Sequence, residues 1–159
     1  MICANMWVRM NGQYLLLKRA ANKKYIPNYV HPIGGKVDEN ENPLVAAERE
    51  LMEEAGITVK NIKLEGVFLE LLPHKALPVN WLIYHFSGDY DAGELRPTEE
   101  GEFVMLGKDE ITKHNLFPSV RETIDKLLDP NVGTIWTTFR YDDAEQIDPA
   151  SKRIDECAV

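Results

Sequence analysis

An apolar-rich run over residues 2–10 reads as a strand, and Asn11-Gly12 behind it is a tight-turn signal. Residues 14–17, Tyr14-Leu15-Leu16-Leu17, form the partner strand before the pattern yields to Lys18-Arg19. Residues 20–29 are polar and irregular around Pro27, a loop long enough to be functional. Residues 31–37 read as a short strand interrupted by Gly34-Gly35, and 38–42 as a loop. Pro43 sits where a helix tolerates proline, and Gly56 where a helix stops, so the spacing predicts a helix from Pro43 to about Ala55. Strands over 62–72 and 81–90 follow, then a polar, acidic loop over 91–101 and a short strand over 102–106. A helical turn over 108–114, a helix over 119–128 opened by Pro118, and a β-branched, aromatic strand over 133–141 complete the regular elements. The polar tail from Asp142 is expected to fray. The order β-β-β-α-β-β-β-α-β predicts an α/β (α+β) fold in which helices sandwich a mixed sheet. The expected organisation is one domain over 1–141 with a polar tail over 142–159.

Composition narrows the class. The 159 residues are enough for one buried core, and 44% hydrophobic with 28% charged residues is ordinary for a globular protein. A net charge of −8 without a basic stripe argues against nucleic acid as a partner. Apolar runs fall far short of the roughly 18–20 residues that cross a bilayer, so no membrane partner is expected. The first residues lack the basic and apolar regions of a signal peptide. Two cysteines, Cys3 and Cys157, make neither a zinc site nor a disulfide framework. A cytoplasmic location is expected, as a monomer or a homodimer.

The chemistry concentrates in the first helix. With Glu50 at zero on a helical wheel, Glu53 falls at about −60° and Glu54 at about +40°, so three carboxylates share one arc. Leu44, Ala47, Leu51 and Ala55 form the core-facing stripe. Clustered carboxylates near a helix C-terminus repel one another and oppose the helix dipole. Hard divalent cations would relieve that repulsion, because magnesium and manganese prefer oxygen ligands. A solvated acidic face remains the alternative. The Gly34-Gly35 pair and the loop acid Glu41, both just upstream, weigh against it.

The span runs Gly35, five residues, Glu41, seven residues, Arg49-Glu50-Leu51, Met52, Glu53-Glu54, Ala55, Gly56-Ile57. It resembles the signature of the Nudix hydrolases with every fixed position filled. The resemblance implies the Nudix fold, magnesium (or manganese) as cofactor, and cleavage of a phosphoanhydride bond in a small nucleotide-type substrate. It implies that Glu50 and Glu54 are metal ligands and that Glu53 is a ligand or the general base. Which of Glu50 and Glu53 deprotonates the water stays open. By the same resemblance Arg49 holds the carboxylates, the Gly35 carbonyl completes a metal shell, and Lys36 steadies phosphate or the acids. Glu41 is expected to orient Arg49 or its loop. Many relatives add a glutamate from a late loop; here Glu100 is the candidate, with Glu99 second.

Substrate choice lies outside the box. The opening strand and the late Leu116-Phe117-Pro118 pattern resemble MutT-like nucleoside triphosphate pyrophosphohydrolases. The oxidised-purine members carry an asparagine where this chain has His31, and acids where it has Phe117-Pro118-Ser119-Val120. An acid that reads an oxidised guanine is therefore expected to be missing, and strict 8-oxo-dGTP specificity is not expected. Arg19, His31, Lys36 and Phe117 are the candidate substrate contacts, with Trp81 and Tyr84 as further wall candidates; core packing is the alternative for the aromatics. His74, His85 and His114 lack metal spacing and read as core or surface residues. Pro73, 16 residues after the box, leaves an ADP-ribose or nucleotide-sugar hydrolase as the second reading. A dinucleoside-polyphosphate or capped-RNA hydrolase ranks below it, for want of a suitable tyrosine or basic track. From a different class, an inactive nucleotide-sensing domain is disfavoured by the intact acids.

Overall fold

The computed structural model describes residues 1–157. Strands β1 (Ile2–Met10) and β2 (Gln13–Arg19) form the opening hairpin. Asn11 and Gly12 both take positive φ, 51° and 75°, as the tight turn between them requires. The expected strand over 31–37 is two strands, β3 (Val30–His31) and β4 (Ile33–Lys36), parted at Pro32. Proline cannot donate to a ladder, and the chain changes partner there: β3 pairs with β2, whereas β4 pairs with β1.

Helix α1 (Pro43–Ala55) is capped by Asn42, whose side chain accepts from the Leu44 and Val45 amides, and it ends at Gly56 with φ 74°. Strand β5 (Ile57–Leu71) starts at once, five residues before the expected 62, and β6 (Trp81–Gly93) runs past the expected 90. Register shifts after Thr58, Lys60 and Leu64 break the alternation that a sequence reading depends on. Strand β7 (Gly101–Leu106), a short helix α2 (Lys108–Ile111), helix α3 (Pro118–Leu127) and strand β8 (Ile135–Arg140) follow.

The polar tail does not simply fray. Strand β9 (Arg153–Glu156) pairs antiparallel with β8, from Ile135↔Glu156 to Thr138↔Arg153. Its residues are exposed or half-buried, so no apolar alternation announced it.

The mixed sheet runs β3-β2-β1-β6-β5-β8-β9, with β4 on the edge of β1 and β7 on that of β2. Alternation assigns the two faces. Ala4, Met6 and Val8 of β1, with Leu15 and Leu17 of β2, pack under Ala46, Ala47, Leu51 and Ala55 of α1. Trp7 and Leu16 point the other way, toward Phe68, Trp81, Ile83 and the Val120, Ile124 and Leu127 side of α3. Helices therefore cover both faces, and each core buries one sheet face.

Candidate active site

Strand β4 carries the two glycines past crowded neighbours. A Cβ on Gly34 would collide with the Ala4 carbonyl of β1, and a Cβ on Gly35 would stand 2.5 Å from the Glu50 carboxyl group. Only glycine lets backbone approach the α1 acids so closely. Arg49 gathers the box. Its Nε and Nη2 donate to the two Glu41 oxygens at 3.1 and 2.7 Å, and its Nη1 donates to Glu50 at 2.9 Å and Glu53 at 3.3 Å. Nη2 also donates to the Lys36 carbonyl at 3.1 Å, so one guanidinium ties loop, strand and helix together. Glu41 in turn accepts from the Asp38 amide at 2.9 Å, and its pKa is lowered, first by Arg49 and then by that amide. At the far end of α1, Arg96 donates to the Met52 carbonyl at 2.7 Å, a cation where the helix dipole is negative.

The acids differ in environment. Glu53 is exposed. Burial raises the Glu50 pKa, against the opposing pull of Arg49. Glu54 is raised to about 7, first by burial and then by the Glu50 and Glu100 carboxylates, with Arg19 and Lys23 pulling the other way. Its Oε2 is buried with no hydrogen-bond partner in the protein. Glu100, the extra-box candidate, is held by Lys23 at 2.7 Å and Arg19 at 3.4 Å, while Glu99 is exposed.

Among the described residues, no three His, Cys, Asp or Glu side chains converge closely enough to hold an ion as they stand, because Arg49 draws Glu50 and Glu53 to itself. The donor set nevertheless fits a hard divalent cation. It is all oxygen, burial and then the crowding Glu50 and Glu100 carboxylates raise the Glu54 pKa, and it contains an orphaned carboxylate oxygen.

Beside the acids lies a cavity of about 160 Å³, walled by Gly34, Gly35, His31, Arg19, Trp81 and Phe117 among others. That is less than the roughly 300–1,000 Å³ that takes a whole drug-sized ligand, so it suits one ring system. Gly35 belongs to both places, facing Glu50 and the cavity. Phe117 lies nearly parallel to Trp81, ring centroids 5.8 Å apart, and 5.7 Å from Tyr141. His31 holds its Nδ1 2.6 Å from the Pro32 carbonyl, and its Nε2 is buried without a partner. Burial lowers its pKa to about 4, despite the Pro32 carbonyl, so the ring is neutral. Ile26, on the wall, has φ 42°, a strained conformation for a β-branched residue.

Of the sequence candidates, Arg19, His31, Phe117 and Trp81 meet at this cavity. Tyr84 does not; it lies on the opposite sheet face, stacked on Phe86 beneath α1. Lys36 is exposed, and its backbone oxygen rather than its ammonium meets the box. Sequence reasoning missed Asn5, His85 and Ser119 on the wall, and the acid Glu70 behind Ser119. The expectation that the segment around Phe117 carries no acid of its own holds; a buried acid, Glu70 of β5, approaches Ser119 from behind the wall. The signal was available: Glu70 shares parity with the inward-facing Phe68, where a charged residue is out of place.

The NUDIX domain family profile matches residues 3–127. The 8-oxo-dGTP diphosphatase of Escherichia coli (strain K12) is 29% identical over 106 residues, 66% of this chain and 81% of that protein. The NAD-capped RNA hydrolase NudC of Chromobacterium violaceum is 31% identical over 96 residues, which is 60% of this chain but 33% of that longer protein. Among solved structures, a MutT protein from Bacillus halodurans superposes with a TM-score of 0.78 at 25% identity, covering 97% of each chain. Hydrolases of this family generally use divalent metal ions. With the profile spanning most of the chain and the acids of α1 gathered behind Gly35, the protein belongs to the Nudix family of hydrolases.

Proposed function

We propose that this protein is a magnesium-dependent, MutT-like nucleoside triphosphate pyrophosphohydrolase, with manganese as an alternative cation. The observation that carries the reading is the ring-sized cavity between His31, Trp81 and Phe117, which abuts the carboxylate cluster through Gly35. A flat base in that cavity leaves its phosphates beside Glu50, Glu53 and Glu54. The likeness to the Escherichia coli diphosphatase over two thirds of the chain supports the same substrate class.

Glu50, Glu53, Glu54 and the Gly35 carbonyl would hold the divalent cations, with Glu100 joining once Arg19 and Lys23 turn to the phosphates. When bound, such ions supply charge neutralisation at the phosphoryl oxygens and a more acidic water. Glu53, exposed and tethered only by a 3.3 Å bond to Arg49, is free to take a proton from the attacking water. Glu50 is held closer, at 2.9 Å, which suits an anchoring role. The water oxygen bonds to phosphorus, the phosphoanhydride bond breaks, and pyrophosphate leaves with the bridging oxygen. Arg19 and Lys23 sit where cations can meet the phosphate chain.

Incubating the protein and magnesium with nucleoside triphosphates, dinucleotides and nucleotide sugars, and resolving the products by anion exchange, tests this. Pyrophosphate plus a nucleoside monophosphate is the expected outcome. Cleavage restricted to ADP-ribose or nucleotide sugars would replace the reading with the second one.

A further inference from the structure

Among the described residues, most of the buried polar side-chain atoms that find no partner in the protein are gathered in one place; Glu54 Oε2 and Thr137 Oγ1 lie apart from it. His31 Nε2, Trp81 Nε1, His85 Nε2 and Ser119 Oγ all belong to residues on the cavity wall. Both Glu70 oxygens and the Tyr141 hydroxyl lie just behind it. An unpaired buried polar group is costly, and native interiors hold few of them. A cluster around a single cavity marks a place where a polar ligand completes the hydrogen bonds.

Glu70 stands out within this cluster. It is fully buried at the end of β5, opposite Trp81 in the β5–β6 pair and Phe139 in the β5–β8 pair. Ser119 at the start of α3 and Tyr141 after β8 approach its carboxyl group, yet no fully formed hydrogen bond links the three. Phe117 bridges the same space, since it stacks on Trp81 and leans on Tyr141.

We infer that Ser119 on the cavity wall, with Glu70 and Tyr141 behind it, is the specificity element of the cavity, and that Glu70 reads a ring edge carrying a hydrogen-bond donor beside an acceptor. This inference rests on the nucleotide reading above. Burial raises the Glu70 pKa to about 7 despite Ser119 and Tyr141, so below that pH the group is a neutral carboxylic acid. A carboxylic acid offers one O–H donor and one carbonyl acceptor side by side. With its order of donor and acceptor held by Ser119 and Tyr141, that pair fits either the cyclic amide edge of guanine and thymine or the amidine edge of adenine and cytosine, and not both. Ser119, already on the wall, is the first contact, and a small shift of its hydroxyl opens the way to Glu70.

The test compares wild type, Glu70→Gln, Glu70→Leu and Tyr141→Phe on dATP, dGTP, 8-oxo-dGTP, dCTP and dTTP in magnesium at about pH 6, where Glu70 keeps its proton. Wild type should prefer one base edge at least tenfold in kcat/KM. Glu70→Leu should lower kcat/KM for that base at least 30-fold while changing the poorest base less than threefold, so that the preference collapses. Glu70→Gln keeps the shape and retains one fixed donor–acceptor order, and it should lie between. If Glu70→Leu does not fold, Glu70→Gln and Tyr141→Phe carry the test by the same flattening. A uniform loss on all five substrates means packing alone and overturns the inference, as does a wild type that discriminates less than twofold. If wild type cleaves none of them, the nucleotide triphosphate reading falls, and this inference falls with it.

Discussion

Replacing Glu70 by glutamine removes one titration from the core while keeping the side chain's shape. In the native state burial lifts the Glu70 pKa from an ordinary 4.5 to about 7; Ser119 and Tyr141 oppose the shift, and no charged neighbour contributes to it. The folded form therefore prefers the neutral acid. The group's stabilising contribution is complete below pH 4.5 and is lost as pH climbs to about 7. At about 1.4 kcal/mol per pKa unit, the full swing is about 3 kcal/mol, of which about 2–3 kcal/mol falls between pH 5 and pH 9. Glutamine does not titrate. The difference in unfolding free energy, the Glu70→Gln variant minus wild type, should therefore grow by about 2–3 kcal/mol across that window. Amide hydrogen bonds add only a pH-independent offset, and titrations elsewhere cancel between the two proteins. Urea unfolding followed by circular dichroism with EDTA present, at pH 5, 6, 7, 8 and 9, measures it. A difference that stays level within about 0.5 kcal/mol would refute the claim that Glu70 is buried and uncompensated.

The catalytic acids give plainer expectations. Glu53→Gln should lower kcat by about 10²–10⁴-fold with unchanged unfolding, and Glu50→Gln should also abolish most turnover; near wild-type rates for both would sink the role given to α1. Gly35→Ala places a methyl group 2.5 Å from the Glu50 carboxyl, which can swing aside. Stability should change by less than about 1 kcal/mol while kcat falls on the order of 10²-fold, and a fully active variant would contradict the close approach. Magnesium at 100 times its Kd should stabilise the fold by about 2.7 kcal/mol in a thermal melt, and less in Glu54→Gln; identical melts with EDTA would argue against a metal site there. Turnover should peak at alkaline pH, because a deprotonated glutamate and a more ionised water both favour attack, so a maximum at pH 5 would count against general-base attack.

The parts of the fold that were legible from sequence are those with strong local signals. Asn11-Gly12, Pro43 and Gly56 each require a backbone geometry that few other residues accept. The helix between Pro43 and Gly56 therefore appeared at its true bounds. The start of β5 was hidden by the polar pair Lys60-Asn61 and the register shifts around it, and β3 and β4 merged because Pro32 separates partners rather than elements. At the site, the spacing of Glu50, Glu53 and Glu54 is local to one helix and can be read directly. The cavity is not local. Its wall draws Trp81 from β6, Ser119 from α3 and His31 from β3, and no pattern within one element records that they meet. Glu41 and Arg49 fall between these cases: eight residues apart, their two-point pairing depends on how the loop folds back.

The small strand at the end of the sheet has a consequence for how copies of this protein meet one another. Without β9, the border of the sheet would be β8, whose Ile135-Trp136-Thr137-Thr138-Phe139 run is rich in β-branched and aromatic residues and has no charge before Arg140. Trp136 already shows nearly half its surface, 46%. Such a border, with free amides and carbonyls, is a template on which further strands add. β9 occupies it and moves the free border to Arg153-Ile154-Asp155-Glu156, where an incoming strand must bury ionised groups. Four residues, three of them charged, thus act as a gatekeeper against polymerisation.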